Sequence, residues 1–181
     1  MIEAGYLFKR LARRPEWIRN PSVMDIHSVS SCLSRSFADY IDYWKHNGWW
    51  LFDSPSDMDE IIQREGVDQS ALTLFYYEIF EQEYDEDGKY WSAIEPETSF
   101  VTAVEKPVNA KLSGYDVVSF SAGSSPECSP LSCNSLCEEI VVNEHCLIDS
   151  LEKAKAALEH GKFDNSEPGP FRIFAVFILQ P

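Results

Sequence analysis

Positive charge is scarce in this sequence: 15 Lys and Arg stand against 30 Asp and Glu, a formal net charge of −15. A surface this acidic repels phosphate backbones and anionic lipid, so neither nucleic acid nor a membrane is an expected partner. Long apolar runs are missing too. FRIFAVFIL, from Phe171 to Leu179, is far shorter than the roughly 18 residues that span a bilayer. The N-terminal MIEAGYLFKRLARRPEW places its basic residues after a short apolar stretch, the reverse of a secretory signal, so a cytoplasmic protein with reduced thiols is expected. Five cysteines, an odd number, leave no fully paired disulfide framework. Neither GxGxxG, nor a phosphate-loop lysine motif, nor GxSxG occurs. Nucleotide and serine-hydrolase chemistry therefore have no footing, and no cofactor is expected. No internal repeat or heptad pattern is read from the chain.

What is present suffices for a core. Hydrophobic residues make up 44% and aromatics 13%, which predicts one folded domain over residues 1–181. Residues 1–20 run against the general charge, with Lys9, Arg10, Arg13, Arg14 and Arg19 against Glu3 and Glu16, and read as a basic N-terminal arm in which GYLFKRLA (5–12) predicts a short strand turning into a basic loop before Pro15. Phe37, Tyr40, Ile41 and Trp44 share one helical face, predicting a helix that Gly48 ends. Trp49 to Phe52 follow as a buried link. Ser54 and Pro55 start a second helix whose apolar face is Met58, Ile61 and Ile62, and Gly66 ends it. ALTLFYYEIFEQEY predicts a strand by composition more than by period, because Phe80 falls on the face of Glu78. Asp87-Gly88 predicts a type I′ turn into a return strand at Lys89-Tyr90-Trp91. Aligned as a calcium loop, the same stretch has Ile94 where the bidentate Glu belongs, so it is read as a hairpin. SFVTAV (99–104) and YDVVSF (115–120) are further strands, with KPVNAKLSG a loop between them. A third helix begins at Asp149 or Ser150 and stops at Gly161. FRIFAVFIL, apolar on both faces, belongs in the middle of a sheet. The order predicts an α+β fold, mainly antiparallel, with about three flanking helices.

The segment from Pro126 to Cys146 concentrates four cysteines, spaced Cys128-x4-Cys133-x3-Cys137-x8-Cys146, with His145 beside the last. Three chemistries compete for it. A zinc knuckle needs closely spaced thiolates, and Cys128 and Cys133 fit only its loosest form. A nucleophilic thiol needs a base, and Cys133 at a helix start with His145 as base is the candidate pair. Glu127, Glu138, Glu139 and Glu144 crowd the segment and would raise a thiol pKa. The favoured reading is structural, a self-bonded loop rich in Ser and Asn with cysteines packed beneath it and no metal. His27 and His46 have no partner in the pattern, and His46 and His160 suit helix C-termini.

The composition points first to a protein-binding module, an inhibitor or antidote-like partner of a cationic protein. Its acidic face would be Glu78, Glu81, Glu83, Asp85, Glu86 and Asp87, with Trp49 as an exposed aromatic anchor. The rival is a cysteine-dependent enzyme or zinc protein built on residues 128–146.

Overall fold

The computed structural model describes residues 1–37, 47–94, 103–121 and 125–179. Its frame is a curled antiparallel sheet accompanied, among the described residues, by three helices, so the predicted α+β class stands in a form where the sheet dominates. Strand β1 (Ile2–Arg10) pairs with β5 (Thr73–Asp85), β5 with β8 (Phe171–Leu179), and β8 with β7 (Ala110–Ser119), every pair antiparallel. The short β4 (Arg35–Ser36) extends the sheet beyond β1, and β6 (Tyr90–Ala93) pairs with the far end of β5. A separate two-stranded ladder joins β2 (Ala12–Arg13) to β3 (Asp25–Ile26).

The aromatic and β-branched runs occupy the inner strands. Phe75 to Phe80 of β5 and Ile173 to Phe177 of β8 are buried on both faces. Helix α1 (Pro55–Glu65) seals the cluster of Phe37, Trp49, Phe52 and Phe75 with Met58 and Ile62. Helix α3 (Leu151–Glu159) seals a second cluster, with Leu131, Cys137, Phe163 and Ile173, through Ala154 and Leu158. Ser54 accepts from Asp57 N and Ser150 from Lys153 N, the helix starts expected from the sequence, each worth about 1 kcal/mol.

Several expectations need correction. Residues 2–10 are a sheet strand with Lys9 buried, longer than the short strand expected over 5–12, so the first twenty residues are not a free arm: residues 4–7 are buried in succession within the sheet, and Arg13, Arg14 and Arg19 come after β1. The chain leaves β5 through a four-residue turn, Glu86–Lys89, with the positive φ on Lys89, not through a two-residue Asp-Gly turn. Residues 110–114, read as loop, belong to β7. The helix expected after Ser36, with His46, and most of the strand at 99–104 lie outside the described residues.

The largest correction is an internal duplication. NGWWLFDS (47–54) and NEHCLIDS (143–150) are the same device used twice. Asn47 Nδ2 donates to Ala4 O at 2.8 Å, and its Oδ1 accepts from Trp49 N and Leu51 N. Asn143 Nδ2 donates to Ser113 O at 2.7 Å, and its Oδ1 accepts from His145 N and Leu147 N. Trp50 and Cys146 carry matching φ of 62° and 61°. Phe52 bridges Tyr6 and Ile148 bridges Tyr115. Each crossing demands a glycine. A Cβ on Gly5 (φ 139°) would sit 2.5 Å from Phe52 O, and one on Gly114 (φ 146°) would sit 2.7 Å from Leu147 Cβ. A serine-capped helix, a left-handed glycine (Gly66 at 65°, Gly161 at 68°) and an inner strand then follow in both halves. The halves, β1–α1–β5 and β7–α3–β8, join along β5 and β8.

A candidate three-thiol centre at the junction of the halves

The site is built from the strand β1 outward. Lys9 is 1% exposed, and an ammonium there requires full hydrogen bonding. Its Nζ donates to the carbonyls of Ser28, Val29 and Ser30 at 2.5, 2.8 and 2.8 Å, satisfying its three donors. The loop after β3 is thereby bent around one buried cation, which fixes the stem of Cys32. From the other half, Asp116 of β7 accepts at Oδ2 from Val29 N at 2.8 Å and Ser129 Oγ at 2.6 Å. Ser129 Oγ in turn accepts from Ser30 N. One buried carboxylate and one hydroxyl therefore lock the Cys32 loop to the segment that carries Cys128 and Cys133. Burial pushes the Asp116 carboxyl up to about 6, although Ser129, the Val29 amide and Lys9 pull the other way.

The Sγ atoms of Cys32, Cys128 and Cys133 lie within 4.8 Å of one another. Cys32 is exposed, Cys133 half-buried and Cys128 buried. Cys128 enters through an isolated bridge to Ser119, at the end of β7. Cys133 closes the single-turn helix α2 (Pro130–Cys133), its amide bonded to Ser129 O at 2.9 Å. Oxygens flank the triangle: Glu127 O is 3.2 Å from Cys32 Sγ, and Asn134 Oδ1 is 3.4 Å from Cys128 Sγ. The neighbouring sulfurs of Cys133 and Cys32, and then burial, push the Cys128 thiol up. Cys32 is held low by its neighbours Cys128 and then Cys133, and by the field of Lys9, against the effect of burial. When protonated, Cys32 can donate to Glu127 O; when ionised, it is the acceptor of the triangle.

A second cluster lies on the same seam. Asp25 Oδ1 is 2.7 Å from His145 Nδ1 and 3.3 Å from His27 Nε2. The two rings stack at 4.0 Å between centroids and 16° between planes, and Phe75 packs edge-on against His27. Backbone bonds from Met24 N and Asp25 N to Glu144 O, and from His27 N to His145 O, zip the two halves together there. Burial, then the neighbouring imidazole, pushes His27 down to about 4. A metal ion lies in the plane of an imidazole that ligates it. Two nearly parallel rings 4.0 Å apart do not both aim at one point, so as placed the imidazoles meet the Asp25 carboxylate and do not converge as the three sulfurs do.

The expected site residues scatter. Cys133 and His145 fall into different clusters, so they do not form a nucleophile–base pair: α2 turns Cys133 toward Cys32, while the Asn143 corner turns His145 toward Asp25. Cys137 and Cys146 are buried and interact with each other, away from a shared cysteine knuckle. Trp49 is 5% exposed and packed in the core, so it offers no anchor; the tight corner after Asn47 turns it inward. Glu78 is also buried, in mid-strand and paired with Lys106 at 2.6 Å. Of the hairpin acids, Glu83 pairs with Arg172 and Glu86 accepts from Gly169 N. Glu81 and Asp87 are exposed and Asp85 is half-buried. Glu83, Asp85, Glu86, Asp87 and the exposed Tyr90 line a shallow cleft of about 240 Å³. The sequence pattern missed Cys32, Lys9, Asp25, His27 and Asp116. One signal pointed to Cys32: Ser31-Cys32-Leu33-Ser34 and Ser132-Cys133-Asn134-Ser135 share the form S-C-x-S.

No protein-family model, curated protein or solved structure matches this chain. No helix among the described residues is long and apolar enough to cross a membrane.

Proposed function

We propose that this is a metal-binding protein whose ligands are the thiolates of Cys32, Cys128 and Cys133, with zinc the ion of choice. The single supporting observation is the convergence of three sulfurs within 4.8 Å. Tetrahedral zinc at about 2.3 Å from each sulfur separates them by about 3.8 Å, so each pair needs to close by about 1 Å at most. Soft sulfur donors select zinc or cuprous copper over magnesium or calcium. The buried Lys9 offsets part of the negative charge of three thiolates around a divalent ion. The fourth corner is open to Asn134 Oδ1, to water, or to a ligand arriving on the exposed side of Cys32. A centre with three protein ligands and a free position is suited to binding or activating something there, whereas a purely structural site is closed by a fourth protein ligand. The reading places the protein in a reducing compartment.

The test is metal analysis of protein purified without chelator, followed by cobalt substitution. One equivalent of metal and sulfur-to-cobalt charge-transfer absorption, both lost in Cys32→Ser and Cys133→Ser, are expected. A protein that stays metal-free in micromolar zinc refutes the reading.

A second reading keeps the acidic protein-binding role, resting on the cleft beside Tyr90. Its free carboxylates are Asp87 in the cleft and Glu81 beside it, since Glu83, Asp85 and Glu86 are engaged within the fold. A cationic protein would be steered to this face, with affinity falling as salt rises.

A further inference from the structure

We infer that the three-thiol centre, when free of metal, is a two-electron redox site in which Cys32 reacts with a hydroperoxide and closes a disulfide with Cys128 or Cys133. The inference draws on the same sulfurs as the metal site but does not require metal binding. Three features carry it. Among the three sulfurs only that of Cys32 belongs to an exposed residue, so it is the one a solvent-borne oxidant meets. Two further sulfurs stand within 4.8 Å of it, close enough for side-chain rotation to bring one into bonding range. Cys137 and Cys146 are buried elsewhere in the core and provide an internal control.

The chemistry balances without further groups. The Cys32 thiolate attacks the distal peroxide oxygen; an S–O bond forms, the O–O bond breaks, and the alkoxide or hydroxide leaves with a proton from solvent. Cys32 is then a sulfenic acid. The sulfur of Cys128 or Cys133 attacks it; the S–S bond forms, the S–O bond breaks, and hydroxide leaves as water with the attacking thiol's proton. Two thiols lose two electrons and two protons in all, and the peroxide is reduced to water or to water and an alcohol. A neighbouring thiol, within 4.8 Å, resolves the oxidised sulfur before it advances to the irreversible acids. Lys9 holds the Cys32 loop by its three carbonyls and contributes a fixed positive charge nearby.

The experiment uses full-length protein, chelator-stripped and treated with one equivalent of hydrogen peroxide, with intact mass and peptide mapping as the readout. A loss of two hydrogens in a disulfide joining Cys32 to Cys128 or Cys133 is expected. Cys32→Ser should abolish this disulfide and slow peroxide consumption at least tenfold. Cys133→Ser and Cys128→Ser, separately, should leave Cys32 reactive, and trapping with dimedone should capture its sulfenic acid when Cys128→Ser and Cys133→Ser are combined. A disulfide that lacks Cys32, or uniform slow oxidation of all five cysteines, overturns the inference. A parallel zinc-saturated sample separates this from the metal reading. Metal uptake without peroxide chemistry in the stripped protein refutes the redox site alone. Peroxide chemistry unaffected by zinc refutes the metal centre alone.

Discussion

Two buried charges, Lys9 and Asp116, hold the thiol loops in place. Replacing either strands groups that water no longer reaches. Asp116→Ala leaves Val29 N and Ser129 Oγ without their acceptor and should destabilise the fold by about 3 kcal/mol, read as a lower denaturant midpoint. Ser129→Ala should cost about 1 kcal/mol. Acid exposes opposite linkages in the same core. His27 has a folded pKa of about 4 against an ordinary 6.5, so its contribution is fully present above pH 6.5 and lost as pH falls toward 4. Asp116 is raised to about 6 from 3.8, so its contribution is fully present below pH 3.8 and lost as pH rises through 6. Each shift is worth about 3 kcal/mol when complete. Between pH 6.5 and 4 the two oppose one another. His27→Gln removes one side, so its stability relative to wild type should improve steadily on acidification across that window. Midpoints compared at pH 7, 5.5 and 4.5 check the sign; a relative loss on acidification would remove the assignment. None of this was legible in the sequence. A buried lysine looks like any basic residue near an N-terminus, and Asp116 sits in an apolar run as a single interruption.

At the scale of elements, both Asn corners organise a crossing strand and a helix start. Asn47→Ala and Asn143→Ala each strip two amides and a carbonyl of their partner. Losses of about 2–3 kcal/mol are expected for each, with nearly equal size as the mark of equivalent roles. Gly114→Ala forces a side chain against Leu147 and Ile148, and should be at least as damaging; thermal melts would show it. Helix ends were readable in advance because caps are local chemistry: Ser54, Ser150, Gly66 and Gly161 all behave as their residue types dictate. FRIFAVFIL was readable as an inner strand because both faces are apolar. The β5 alternation was not, because its pairing with β8 slips between Ile79 and Glu83 and the two-residue period lapses there. The repeat is faint in the sequence for a related reason. Its halves share turns and caps but few core side chains, and 42 residues separate Gly5 from Asn47 where 29 separate Gly114 from Asn143.

The whole molecule combines an acidic exterior with a site contributed by two halves. Converting Glu81 and Asp87 to Lys should slow association with a cationic probe such as polylysine, and the difference from wild type should shrink as salt rises toward 1 M, where the screening length is about 3 Å. Surface plasmon resonance at two ionic strengths measures it. Composition reveals how much charge a chain carries, but which acids of the expected face are tied up inside the fold depends on tertiary structure, as in the pairing of Glu83 with Arg172 across β5 and β8 and of Glu78 with Lys106. The cysteine segment was similarly incomplete, since the third sulfur of the triangle comes from the other half of the chain.

That separation along the chain has a consequence for unfolding. Cys32 and Cys133 stand at opposite ends of a stretch of roughly 100 residues, and a bond between them would deprive the denatured chain of about 4–5 kcal/mol of conformational freedom. A bridged molecule should therefore melt well above an open one even if the folded shapes are superimposable, so calorimetric scans would report the state of three sulfur atoms.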